Sequence, residues 1–286
     1  MNMMDRLSGR AASVSPVCVG LDLQPSLLPE YLVSRDMSMG EKYLEFNKKI
    51  IDASLQNAAC FKLQIACYEA LGIEGLAAFS STLKYIHEHG GIAITDAKRG
   101  DISSTAAMYA KAHFTGDFES DFITINAYMG EDAVSPFYPY FEQGKGAFLL
   151  VKTSNPKSGD FQDAQVAEDD EPLYMRVARY VSRWGEAFIG ESGYSAIGAV
   201  VGLTYPAEFK KVQAVMKNTF FLIPGYGAQG GTARDIGELF QNGVCGVVNS
   251  SRGIIGAHAG KTTGPDYDLY IYDAVKTMRE SINEWL

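Results

Sequence analysis

Eight short apolar runs alternate with longer segments of helical spacing, and few chain plans satisfy that alternation. The runs fall at residues 17–23, 60–65, 91–96, 121–126, 147–152, 197–202, 219–224 and 244–249. They are continuously apolar rather than alternating in polarity, the pattern of strands covered on both faces in a parallel sheet. Between them, Leu44, Ile51 and Leu55 make one stripe, in residues 41–56, and Val177, Tyr180, Val181 and Trp184 make another. Residues 73–87, 103–112, 206–217, 233–240 and 267–283 read similarly, with a weaker case at 132–141. Eight such units in 286 residues predict an α/β chain folded as a (β/α)8 TIM barrel, a doubly wound sheet being the alternative. No linker or break in composition divides residues 1–286, which read as a single domain. One connection departs from the pattern. Residues 155–172, after the fifth run, carry Asp160, Asp163, Glu168, Asp169, Asp170 and Glu171 against Lys157 alone, and are expected to form a mobile loop.

With 47% hydrophobic residues, among them 16 tyrosines and 15 phenylalanines, the chain can bury a large core. A net charge of −9 argues against nucleic acid or an anionic membrane as partner, but leaves an anionic small molecule open, since a local pocket suffices for one. No stretch of about 18 apolar residues and no signal-type N-terminus occurs, so a cytoplasmic protein is expected. Cys18, Cys60, Cys67 and Cys245 form no C-x-x-C pair and read as core thiols rather than metal ligands. His87 and His89, just before Gly90-Gly91, read as a helix C-terminal cap.

Charge collects at run ends. The third run leads into Asp96-Ala97-Lys98-Arg99-Gly100-Asp101, where strand alternation points Asp96 and Lys98 the same way. Lys62 sits in the second run and Asp22 in the first. A solvated strand-end ion pair would have the same sequence, but in a (β/α)8 barrel the C-terminal strand ends carry the chemistry and the last two hold phosphate. Here the seventh ends in Pro224-Gly225-Tyr226-Gly227-Ala228-Gln229-Gly230-Gly231-Thr232 and the eighth in Asn249-Ser250-Ser251-Arg252-Gly253. Glycines let backbone N–H groups close on an anion, and an arginine can grip phosphate oxygens in pairs. Gly225-x-Gly227-x-x-Gly230 matches a dinucleotide fingerprint but lacks the acid expected about 20 residues on. Gly260-Lys261-Thr262 lacks the earlier glycine of a P-loop. No metal cluster and no Ser-His-Asp set falls at the strand ends. A phosphorylated substrate beside a protonated lysine suggests stabilising and then protonating a carbanion.

Taken together, these residues resemble the orotidine 5′-phosphate decarboxylase family, and its longer bacterial branch in particular. The matching elements are Val19-Gly20-Leu21-Asp22, Phe61-Lys62, Asp96-Ala97-Lys98-Arg99-Gly100-Asp101-Ile102 with Thr105, Lys152-Thr153-Ser154-Asn155-Pro156, Pro224 to Gly231, and Ser251-Arg252-Gly253. The resemblance implies decarboxylation of orotidine 5′-phosphate to uridine 5′-phosphate, without metal or organic cofactor. It implies Lys98 as proton donor to C6 of the pyrimidine and Asp96 facing the substrate carboxylate. Lys62 and Asp22 would hold ribose hydroxyls, Ser154 the pyrimidine, and Gln229 and Arg252 the phosphate. Asp101 and Thr105 would reach the partner's substrate across a homodimer with shared sites, and the loops after the fifth run and around Gln229 would close over the ligand. The chain departs from the family at Ala127, where proline is expected, at Lys157, where glycine is, and in its acidic 155–172 segment. Two rival readings are a magnesium-dependent sugar-phosphate decarboxylase or synthase on the same barrel, and a catalytically silent nucleotide-binding barrel. The first needs an extra acid near Lys62, where Leu63, Gln64 and Ile65 stand and the nearest is Glu69.

Overall fold

The computed structural model describes residues 2–168, 170–227 and 230–286. Its strands are β1 Val17–Gly20, β2 Cys60–Gln64, β3 Ala93–Arg99, β4 Phe122–Ile125, β5 Gly146–Lys152, β6 Gln165–Val166, β7 Glu171–Pro172, β8 Ile197–Val201, β9 Phe221–Ile223 and β10 Gly246–Ser250. Eight of them close a parallel barrel in the order β1-β10-β9-β8-β5-β4-β3-β2, while β6 and β7 form a separate antiparallel pair. The expected TIM barrel is therefore present, and the doubly wound alternative falls because β1 pairs with both β2 and β10.

Helices cover the outside. The helix Met39–Ser54 starts at Ser38, which exchanges hydrogen bonds with Glu41 in a capping box. Its buried face is Tyr43, Phe46, Asn47, Ile50 and Ile51, one step round from the stripe read in the sequence, and it packs beside the helix Tyr267–Asn283. Asn47 is tolerated there because its amide donates to Tyr68 and Thr82. The helix Leu173–Gly185 buries Tyr174, Met175, Ala178 and Val181 and turns Tyr180 outward. Residues 132–141 make no single helix. They form short 3₁₀ turns and the helix Tyr138–Glu142, since Pro136 and Pro139 deny a longer helix two N–H donors.

The N-terminal helix Met3–Ser13, which no sequence pattern announced, is held by a reciprocal Asn2–Asp5 cap. It sinks Met4, Leu7 and Ala11 among Cys18, Cys60, Ile92, Phe122, Phe148 and Phe220, at the end of the barrel where the strands begin. The barrel is thus floored at that end and open at the other. Cys18, Cys60 and Cys245 are buried core thiols and Cys67 is half-buried, all unpaired. His89 bonds the Tyr85 carbonyl at a helix C-terminus, as expected of a cap. The segment 155–172 holds the short helix Gly159–Gln162 and the β6–β7 pair. Among the described residues, no helix is long and apolar enough to cross a membrane.

Candidate active site

At the open end the strand register gathers the charged residues. Gly20 pairs with Lys62 and Gln64 with Asp96, so the ends of β1, β2 and β3 stand side by side. Lys62 Nζ lies 2.8 Å from Asp22 Oδ1 and 3.1 Å from Asp96 Oδ2. Lys98 Nζ lies 2.6 Å from Asp96 Oδ1. The result is an unbroken line of alternating charge, Asp22–Lys62–Asp96–Lys98. Lys62 and Asp96 are only 5% and 7% exposed, and burial of either charge alone would be costly. Burial by itself pulls Lys62 toward its neutral form, but Asp22 and Asp96 outweigh that and hold it well above the usual lysine range. Burial likewise pushes Asp96 up, yet Lys62, Lys98 and the hydrogen bonds from Lys98 and Thr124 carry it well below the usual carboxylate range. Lys62 and Asp96 are therefore both ionised at neutral pH.

Two residues the sequence reading passed over complete it. Gln64 donates to Asp96 Oδ2 at 3.1 Å, and Thr124 to Asp96 Oδ1 at 2.9 Å. Both sit in apolar runs, where a polar side chain reads as one more satisfied core group; only the strand pairing shows them facing a carboxylate.

Lys62, Asp96, Lys98 and Thr124 form one side of a cavity of about 470 Å³. Leu150, Val200, Leu222 and Pro224 give it apolar walls, and Ser154, Asn155, Gln162 and Asn249 supply polar groups. Ser154 is admitted by Gly202, where a Cβ would fall 2.7 Å from the Ser154 Cβ. A second cavity, of about 220 Å³, shares Asp22, Lys62 and Asp96 with this array and Asn249 and Pro224 with the first cavity, and continues to Gly225, Ser251, Arg252 and Gly253. Gly225 turns the chain with φ +109°, a region that favours glycine. The cleft has an apolar end, a charged middle and an end lined by glycine, serine and arginine, a shape suited to a flat ring, a polyhydroxyl linker and an anion.

Six of the nine residues singled out in the sequence thus line one cleft: Asp22, Lys62, Asp96, Lys98, Ser154 and Arg252. Asp101 and Thr105 do not line it. Asp101 accepts a hydrogen bond from the Ile102 N–H, and Thr105 is exposed on the helix Ser103–Phe114, on a surface that also bares Ile102 and Met108. Gln229 lies outside the described residues. Among the described residues no group of three or more His, Cys, Asp or Glu side chains is placed to hold a metal ion.

Comparison with known proteins finds matches over nearly the whole chain. The family described as orotidine 5′-phosphate decarboxylase / HUMPS matches residues 15–266. The orotidine 5′-phosphate decarboxylase of Clostridium tetani is 46% identical over 281 residues, covering 98% of this chain and 97% of the relative. That of Clostridium kluyveri is 49% identical over 263 residues, 92% and 90% of the two chains. A crystal structure of a putative orotidine-monophosphate decarboxylase from Toxoplasma gondii superposes with a TM-score of 0.82 at 31% identity, over 99% of this chain and 95% of that one.

Proposed function

Since the chain belongs to the orotidine 5′-phosphate decarboxylase / HUMPS family, we propose that it converts orotidine 5′-phosphate to uridine 5′-phosphate, the closing step of pyrimidine nucleotide synthesis. The observation that carries this reading is the ion-paired line Asp22–Lys62–Asp96–Lys98 between an apolar cavity and a glycine- and arginine-lined one. The pyrimidine fits the apolar end, with Ser154 at its edge. The ribose meets Lys62 and Asp22, and Arg252, with Gln229, takes the phosphate.

The carboxylate of the substrate then faces Asp96. Two anions repel, and the repulsion is relieved when CO2 departs, so the interaction favours the transition state over the bound substrate. The C6–carboxylate bond breaks and its electron pair stays on C6. Lys98 stabilises that charge and then gives C6 a proton from its ammonium; water reprotonates the lysine. A charge pair near 4 Å contributes about 4 kcal/mol at an effective dielectric of 20, against the roughly 8–23 kcal/mol that enzymes remove from a barrier. The lysine therefore acts with the Asp96 repulsion, the phosphate grip and closure of the 155–172 segment.

The active unit in this reading is a homodimer. Asp101 and Thr105 stand on an exposed face with Ile102 and Met108, supporting their reach into a partner's site. The reading takes the chain as one domain that works without metal or organic cofactor, in the cytoplasm, where four unpaired cysteines are at home. The test is an ultraviolet assay of the purified protein with orotidine 5′-phosphate and a strong chelator. Rapid appearance of uridine 5′-phosphate is the expected result; folded protein that leaves the substrate intact overturns the reading, and turnover abolished only by the chelator moves it to a metal-dependent reaction.

A further inference from the structure

Side chains two positions apart on a regular strand share a face but stand about 7 Å apart at their bases. Asp96 and Lys98 span that gap and meet at 2.6 Å. The strand is broken at this point. From Thr95 to Arg99 β3 takes four steps while its partner β4 takes two, from Ile123 to Ile125, so β3 carries two extra residues at the charged site. Lys98 absorbs the distortion with φ +46°, a conformation that residues other than glycine rarely adopt.

A bulge of this kind takes backbone N–H groups off the ladder, and buried donors need partners. Both are met by one atom. Thr124 Oγ1 accepts from the Ala97 N–H at 3.0 Å and the Lys98 N–H at 2.9 Å, and donates to Asp96 Oδ1 at 2.9 Å. One proton given and two lone pairs filled exhaust what a hydroxyl can do. All three bonds go to the Asp96–Lys98 stretch, and none to a carbonyl of its own strand, as a merely accommodated core threonine would make. Thr124 is 1% exposed and lines the cavity beside the two charged residues.

We propose that Thr124 is a positioning residue for the decarboxylation: its hydroxyl holds the left-handed turn that carries the Lys98 ammonium and fixes the rotation of the Asp96 carboxylate against it. The proposal rests on the decarboxylase reading of the site. Valine has nearly the volume of threonine and none of its bonds. With Thr124→Val the bulge loses its anchor and Lys98 drifts from its station, and a misplacement near 1 Å costs on the order of 100-fold in rate.

The experiment compares wild type, Thr124→Val and Thr124→Ser in the orotidine 5′-phosphate assay, with binding of uridine 5′-phosphate and thermal melting measured alongside. The expected result is a kcat about 100-fold lower for Thr124→Val, affinity for uridine 5′-phosphate within about threefold because the product makes no use of the transition-state geometry, and recovery of most of the loss in Thr124→Ser. A Thr124→Val enzyme with wild-type kcat overturns the proposal, as does a defect confined to KM or a Thr124→Ser enzyme as slow as the valine variant. Should the valine variant fail to fold, Thr124→Cys, with a weaker donor and acceptor, is read by the same criteria. Wild-type protein without turnover sinks the decarboxylase reading itself, an outcome separate from all of these.

Discussion

In the proposed reaction Lys98 gives the proton, and its environment differs from that of Lys62. Lys62 is buried between two carboxylates and is held cationic by both. Lys98 meets Asp96 alone and keeps a side chain 46% exposed, so its proton can be replaced from water. Lys98→Ala should abolish turnover while leaving affinity for uridine 5′-phosphate within about tenfold, since the phosphate grip lies elsewhere; retained turnover would remove Lys98 from the donor role. His113 offers a test of stability. Burial pushes its imidazole down to about 4, and the Arg99 guanidinium adds to the effect. Its neutral ring is favoured in the folded state, so the contribution is whole above the unfolded value near 6.5 and is lost as pH falls from there toward about 4, reaching about 3 kcal/mol. Melting of wild type and His113→Gln from pH 7 to 4.5 should show the wild type losing more; parallel curves would assign the acid sensitivity to other groups.

At the scale of elements, the sequence is informative where a strand stops and uninformative where it is distorted. Asp22, Lys62 and Asp96 were legible because their charge at run ends coincided with glycine- and arginine-bearing ends of the last two runs. The two extra residues of β3 were not, since a bulge is a relation between two strands and neither strand records it alone. Thr124 and Gln64 shared that fate. The helix Met3–Ser13 escaped notice because its burial depends on a barrel floor assembled from all eight barrel strands. The segment 155–172, read from its acidity as a loop, has a specific tether: Lys152, 1% exposed, reaches Asp163 at 2.5 Å and lies over the rings of Tyr174 and Tyr205. Gln162 adds bonds to the Thr153 N–H and hydroxyl. Asp163→Asn should weaken the tether, speeding amide exchange across 159–166 about tenfold and raising KM; unchanged exchange would show that Gln162 holds the segment by itself.

At the scale of the whole molecule, the proposed reading seats ring, sugar and phosphate in one cleft, yet Asp101 and Thr105 stand away from it. The proposed dimer resolves this by letting each subunit complete the other's site. Lys98→Ala and Asp101→Ala proteins, each nearly inactive, should regain part of the wild-type activity when mixed, because one of the two sites in a mixed dimer has both residues intact. Subunit exchange demonstrated without recovery would confine Asp101 to its own chain. The barrel closure described above also bears on the order of events at the ribosome. The seam joins Val17 of β1 to Val248 of β10, so in a growing chain β1 emerges long before the partner that closes the barrel. Until then β1 has an unpaired edge, and the glycine- and arginine-lined end of the cleft, which follows β9 and β10, is missing.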